Sequence, residues 1–171
     1  MGRAYTHVVK YNGEVMVDEI GPLPDRELFA APLRRFDGRE RWGLGLFPVP
    51  EDTTYDEMLA AGREFTSYLQ AGGSADALTV EIRKSVGGQG DFQEIRYVVG
   101  HPEKSGPPQD VEIAMPNGSV NVTAAEVFDA EEATDVFDAY HQSGDVPAGF
   151  TLRAAQGYRA DGSAVDLDAS D

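Results

Sequence analysis

Leu78-Thr79-Val80-Glu81-Ile82-Arg83-Lys84 alternates apolar and polar side chains, Gly87-Gly88-Gln89-Gly90-Asp91 interrupts the alternation, and Phe92 to Val99 resumes it as a second β-rich run. Successive side chains of a strand point to opposite faces, so this is the pattern of two half-buried strands joined by a Gly-rich loop. The loop is too short to hold a crossover helix, so the two strands pair antiparallel. Working outward, Ala4 to Tyr11 and Glu14 to Ile20 flank Asn12-Gly13, a pair that accepts the positive φ angles of a tight hairpin turn. Val111 to Met115 and Val120 to Thr123 flank Pro116-Asn117-Gly118-Ser119 and make a third hairpin. Arg41 to Val49 puts Trp42, Leu44 and Leu46 on one parity and Gly43, Gly45 and Phe47 on the other, as in a core strand closely approached by another element. Phe150 to Ala154 offers a last strand.

Two helices accompany these strands. Thr54-Tyr55-Asp56-Glu57 fits a capping box, and Met58, Ala61, Phe65 and Leu69 recur at helical spacing up to Gly72-Gly73, which predicts one long helix there. Asp129 with Glu132 is a second cap signature, and Ala133, Val136, Phe137 and Tyr140 line a helix that ends at Ser143-Gly144. Asp25 to Ala31 makes one or two turns before Pro32 stops them. Three hairpins exclude the strict βα alternation of a parallel sheet. The expected fold is α+β, a largely antiparallel sheet of about six or seven strands with two main helices on one face. Residues 1–158 read as one domain, and 159–171 as an acidic tail, poor in apolar residues and expected to fray.

A chain of 171 residues with 41% hydrophobic content can remove roughly 70% of its unfolded surface from water, so it needs no covalent staple. It has no cysteine, which excludes disulfides, thiol catalysis and thiolate zinc sites. The N-terminus has no apolar signal-peptide core, and no run approaches a membrane span, so a soluble, cytoplasmic chain is expected. The net charge of -16 is uneven: residues 101–171 carry 14 acids and 3 bases. Such a field repels phosphate backbones and anionic lipid and attracts basic surfaces. Nucleic acid and membrane are therefore set aside as partners, and a basic protein is favoured.

Phosphate-loop, nucleophile-elbow, zinc-protease and dinucleotide signatures are missing, so no cofactor, metal or catalytic residue is assigned. The loop Gly87, Gly88, Gln89, Gly90, Asp91 lacks a phosphate-binding lysine and suits insertion into a partner's cleft, since glycines let backbones approach closely. Glu131, Glu132, Asp135 and Asp138 crowd one helix; like charges at i, i+4 repel mildly and suit a basic partner. These nine residues are the candidate partner-binding set. His141, three residues after Asp138, is the candidate base if the chain is instead a small hydrolase. A phage or host accessory protein, structural or a DNA mimic, is the other alternative.

The strand, Gly-loop and strand from Leu78 to Val99, the run Ala124-Ala125-Glu126-Val127-Phe128, the helix Ala130 to His141 and Ser143-Gly144-x-x-Pro147-x-x-Phe150 together resemble the small α+β immunity proteins of bacterial polymorphic-toxin systems. The resemblance covers residues 78–153; Phe150 stands where that family often has Trp, and the sole Trp is at position 42. It implies a non-enzymatic inhibitor that occludes the active-site cleft of a cognate basic toxin, with the immunity factor of an NAD-hydrolysing toxin as the nearest analogue.

Overall fold

The computed structural model describes residues 6–12, 14–21, 25–87, 90–102, 109–116 and 118–167, with the backbone alone for 14–19. Its strands are β1 (His7–Tyr11), β2 (Glu14–Ile20), β3 (Gly43–Pro48), β4 (Tyr68–Ser74), β5 (Ala77–Ser85), β6 (Glu94–Gly100), β7 (Val111–Met115), β8 (Gly118–Val122), β9 (Thr151–Tyr158) and β10 (Ala164–Asp166). The helices are α1 (Glu27–Arg34), α2 (Tyr55–Ala61) and α3 (Ala130–Ser143), with a 3-10 turn at Ala124–Glu126. Eight strands form one antiparallel sheet in the order β10-β9-β6-β5-β4-β3-β1-β2, and β7-β8 is a separate hairpin. The chain is therefore α+β with a large antiparallel sheet, as the hairpin pattern predicts.

The parity of each strand decides which face it gives to the core. Leu44 and Leu46 of β3, Leu69 and Ala71 of β4, and Leu78, Val80 and Ile82 of β5 point to one face, where they meet Phe29 and Leu33 of α1 and Ala133, Val136, Phe137 and Tyr140 of α3. Burying each large side chain contributes about 1.5–3 kcal/mol, so this layer is the main source of stability. α3 forms where the sequence predicts it. Asp129 accepts from the Glu132 amide while Glu132 accepts from the Asp129 amide, and Gly144 closes the helix in the left-handed conformation at φ 80°. On the opposite face α2 covers Val8, Phe47 and Val49, and the β7-β8 hairpin covers Val98 and Ala155.

Three expectations are corrected. The helix predicted from Thr54 to Gly72 ends at Ala61, because Gly62 takes the left-handed cap at φ 66°, and residues 68–74 are the strand β4. Met58 and Phe65 pack on one face of the sheet while Leu69 packs on the other, so the apparent helical spacing joins residues of two elements. Pro32 does not stop α1, which runs to Arg34; the missing amide leaves only the carbonyl of half-exposed Leu28 without its helical donor, while Phe29 and Leu33 bury on one side. The tail 159–171 does not fray from its start. Gly162 turns it at φ 88°, β10 pairs with β9, and the Leu167 amide donates to the Ala155 carbonyl 2.9 Å away. Residues 168–171 lie outside the described residues. The helix pair on the core face is consequently α1 with α3, and the sheet has more strands than expected.

Candidate binding groove

Strand register carries Lys10, Gly45, Gln70, Glu81, Val98 and Arg153 across the sheet at one level: Lys10 stands opposite Gly45, Gly45 opposite Gln70, Gln70 opposite Glu81, Glu81 opposite Val98 and Val98 opposite Arg153. All lie on the face away from α1 and α3. Neither α2 nor the β7-β8 hairpin covers the middle of this face, which leaves a cavity of about 270 Å³ lined by Lys10, Trp42, Gly43, Gly45, Phe47, Gln70, Gly72, Thr79, Glu81 and Met115. Glycine is needed here. A Cβ on Gly45 would come 2.5 Å from the Phe47 ring, and one on Gly72 would come 2.7 Å from the Met115 sulfur, so both walls lean over the glycines.

The polar groups in and around the groove differ in how they are satisfied. Glu81 is hydrogen-bonded to Arg96, and Arg83 pairs with Glu94 at 3.0 Å while its guanidinium lies 3.6 Å from the centre of the Tyr158 ring. Burial is the main cause that pushes the Tyr68 hydroxyl above its ordinary value. Lys10 stands differently: among the described residues its ammonium meets no carboxylate and lies 4.6 Å from the Phe47 ring centre and 5.7 Å from that of Phe65. Thr79 is 2% exposed, and among the described residues its hydroxyl has no hydrogen-bond partner. A second cavity of about 330 Å³ under the hairpin shares Thr79 and Glu81 with the first and adds Arg96, Asn121 and Arg153.

The described members of the sequence-chosen set lie elsewhere. On α3, Glu131 accepts from Arg34 at 2.6 Å and pairs with Arg26 at 3.7 Å, and Asp135 accepts from Arg26 at 2.5 Å. The Arg34 hydrogen bond is the main cause that holds the Glu131 carboxyl below the ordinary range. Glu132 closes the α3 cap and meets His101 at 2.8 Å; Asp138 accepts from Gln142 at 3.3 Å. The acid row thus clasps α1 to α3, although Glu131 and Asp135 keep more than half of their side-chain surface in solvent. Gly87 and Gly90 sit at φ 65° and 61° in the loop between β5 and β6, with open space where a Cβ would stand, and Asp91 is exposed. Gly88 and Gln89 lie outside the described residues.

The histidines hold the fold together. The His7 Nδ1 meets Thr6 at 2.7 Å, and the His101 Nδ1 meets the Ala125 carbonyl at 2.8 Å beneath the stacked Phe128 ring. His141 is 6% exposed, its Nε2 meets the Gly21 carbonyl at 2.9 Å, and its ring centre lies 4.4 Å from that of His7. Among the described residues no carboxylate pairs with His141, and no cluster of three or more potential metal ligands occurs. No described helix is long and apolar enough to cross a membrane.

Sequence reasoning did not select Lys10, Gln70 and Thr79. The available signal was the glycine spacing at Gly43, Gly45 and Gly72, which marks a floor that something approaches closely. Compared with known protein families, with curated proteins and with solved structures, the chain has no match.

Proposed function

We propose that the protein is a non-enzymatic, protein-binding inhibitor of the immunity type, which neutralises a cognate toxin by occluding its basic active-site cleft. The observation that carries this reading is how the charge is distributed. Arg26, Arg34, Arg63, Arg83, Lys84, Arg96 and Arg153 each pair with a carboxylate of the same chain, so seven of the fourteen basic side chains are neutralised internally, while Arg35, Arg39 and Arg41 are exposed. Part of the acidic excess lies at the surface around α2. Glu51, Asp56, Glu57 and Glu64 are exposed around α2, and Leu59 among them is 60% exposed. An acidic collar around an apolar contact suits a basic partner, because complementary charge raises the association rate while an apolar centre excludes water. The α3 acids and the loop Gly87 to Asp91 are further contacts; there a partner's cations would compete with Arg26 and Arg34 for the same carboxylates.

The test is co-expression with the product of the adjacent gene, followed by purification through a salt gradient. An equimolar complex that weakens as salt rises supports the reading. Glu51→Lys combined with Glu64→Lys is expected to slow association several-fold and flatten its salt dependence, since rim charges act mainly on the on-rate. A complex whose formation ignores both salt and these reversals would overturn the charge-steered mechanism.

A further inference from the structure

His101 stands directly after β6, where the 3-10 turn Ala124–Glu126, the first turn of α3 and the start of β9 meet. Its two ring nitrogens are both engaged. Nδ1 lies 2.8 Å from the Ala125 carbonyl oxygen, and Nε2 lies 2.8 Å from Oε2 of Glu132. Both partners are acceptors, because a main-chain carbonyl has no proton to give and an ionised carboxylate has none either. A neutral imidazole carries one N–H and one lone pair, so it satisfies one of these contacts and sets lone pair against lone pair at the other. Only the imidazolium supplies a proton to each. The ring also stacks on Phe128, with centres 4.3 Å apart and planes at 23°, and an aromatic face attracts a cation.

Glu132 joins this contact to the helix. Its Oε1 accepts from the Asp129 amide at 3.0 Å, closing the capping box of α3, while its Oε2 faces His101. One carboxylate therefore bridges the end of the sheet and the N-terminus of α3. The other charged groups on the surrounding elements have contacts of their own. Asp129 accepts from the Glu132 amide, Glu131 pairs with Arg34, and Glu126 of the 3-10 turn pairs with Arg153 of β9. Among the described residues, Glu132 is thus the charged group that meets the ring.

We propose that His101 and Glu132 form a proton-operated latch, closed while His101 is an imidazolium and opened when the ring loses a proton. The ring is held by its stack on Phe128 and by the Ala125 carbonyl, which also accepts from the His101 main-chain amide at 2.8 Å. Glu132 has 47% of its side-chain surface exposed against 23% for His101, so the carboxylate is the partner that moves. As it swings away it draws Oε1 from the Asp129 amide, and the first turn of α3 loses half of its capping box. The latch belongs to the free chain and requires no partner, so its failure leaves the inhibitor reading standing.

The test is nuclear magnetic resonance on the isotope-labelled full chain between about pH 5.5 and about pH 9, the range in which histidine ordinarily titrates. Ring-nitrogen shifts report whether each nitrogen of His101 carries a proton, and the Asp129 amide reports whether Glu132 still accepts from it. Both nitrogens are expected to be protonated at the acid end, with the Asp129 amide proton downfield in its bond to the carboxylate. It should move upfield with the midpoint of the His101 ring as pH rises. Glu132→Gln keeps a capping side chain, because Gln serves at this position as Glu does. Its amide nitrogen can donate to the lone pair of a neutral ring while its oxygen accepts from Asp129. The sign of the response therefore inverts: in Glu132→Gln the Asp129 amide lies downfield at the alkaline end and moves upfield as the ring is protonated. His101→Phe keeps an aromatic ring against Phe128 and should leave the Asp129 amide without a response in this window. A ring with one nitrogen unprotonated throughout, an Asp129 amide that ignores the ring, or the same direction of response in the parent and in Glu132→Gln would each overturn the proposal.

Discussion

Thr79 is one residue at which the fold leaves a bonding capacity unused. Among the described residues its buried hydroxyl has no partner, on a strand whose same-face neighbour Glu81 is held by Arg96. Thr79→Val keeps the shape and removes the unsatisfied group, so it should raise stability by about 1 kcal/mol in urea unfolding. A loss of stability would show that the hydroxyl has a partner in solution. Glu131 makes the opposite case, an exposed acid whose carboxyl is held below its ordinary value of 4.5 chiefly by Arg34. A lowered folded-state value means stability that is present above pH 4.5 and lost as pH falls through the folded-state value. Thermal melts of Glu131→Gln should therefore lie below those of the parent at pH 7 and converge with them in acid; a gap that persists in acid would contradict the pairing. The place of Lys10 in the groove was not legible in the sequence for a physical reason. Its position opposite Gly45, with Gln70 on the far side of that glycine, depends on register across β1, β3 and β4, which no local pattern encodes.

Elements were legible where one local force acts. The α3 cap, its buried face and the terminating glycine are all set within the segment, and the sequence places them to within a residue or two. The β5-β6 hairpin was legible because each strand is half buried and alternates. The segment from Thr54 to Ser74 was not, because Gly62 and the two faces of the sheet are tertiary facts: Phe65 and Leu69 look like one helical stripe yet bury on opposite sides. Gly62→Ala tests this boundary. At φ 66° an alanine is strained, so the variant should lose about 1 kcal/mol in urea unfolding; no loss would show that the left-handed cap is not needed to end α2. Likewise Pro32 is a poor stop signal in α1, since Phe29 and Leu33 gain more from burial against α3 than one missing backbone bond costs. Phe137→Ala removes the ring that meets Phe29 at 5.8 Å and should cost about 3–5 kcal/mol, read as a fall in the urea midpoint with unchanged slope.

At the scale of the whole molecule, the sheet separates two tasks. One face carries the core under α1 and α3, and the other carries a polar row crossed by a groove. The charge is unevenly arranged too: half of the basic side chains pair with carboxylates of the chain, and the net charge of -16 leaves an excess of acids. The fold class follows from the hairpins, but no catalytic or ligand signature accompanies them, so function must be argued from the distribution of charge and of unsatisfied groups. Among the described residues the three histidines serve packing and hydrogen bonding, and the acids of α3 serve partly to bind α1. The most direct test of the central claim, inhibition by an acidic surface, is growth of cells that express the product of the adjacent gene with and without this chain. The account predicts that the product alone arrests growth, that co-expression restores it, and that an equimolar complex is recovered at low salt and lost at high salt. Continued arrest, with no complex even at low salt, would contradict it.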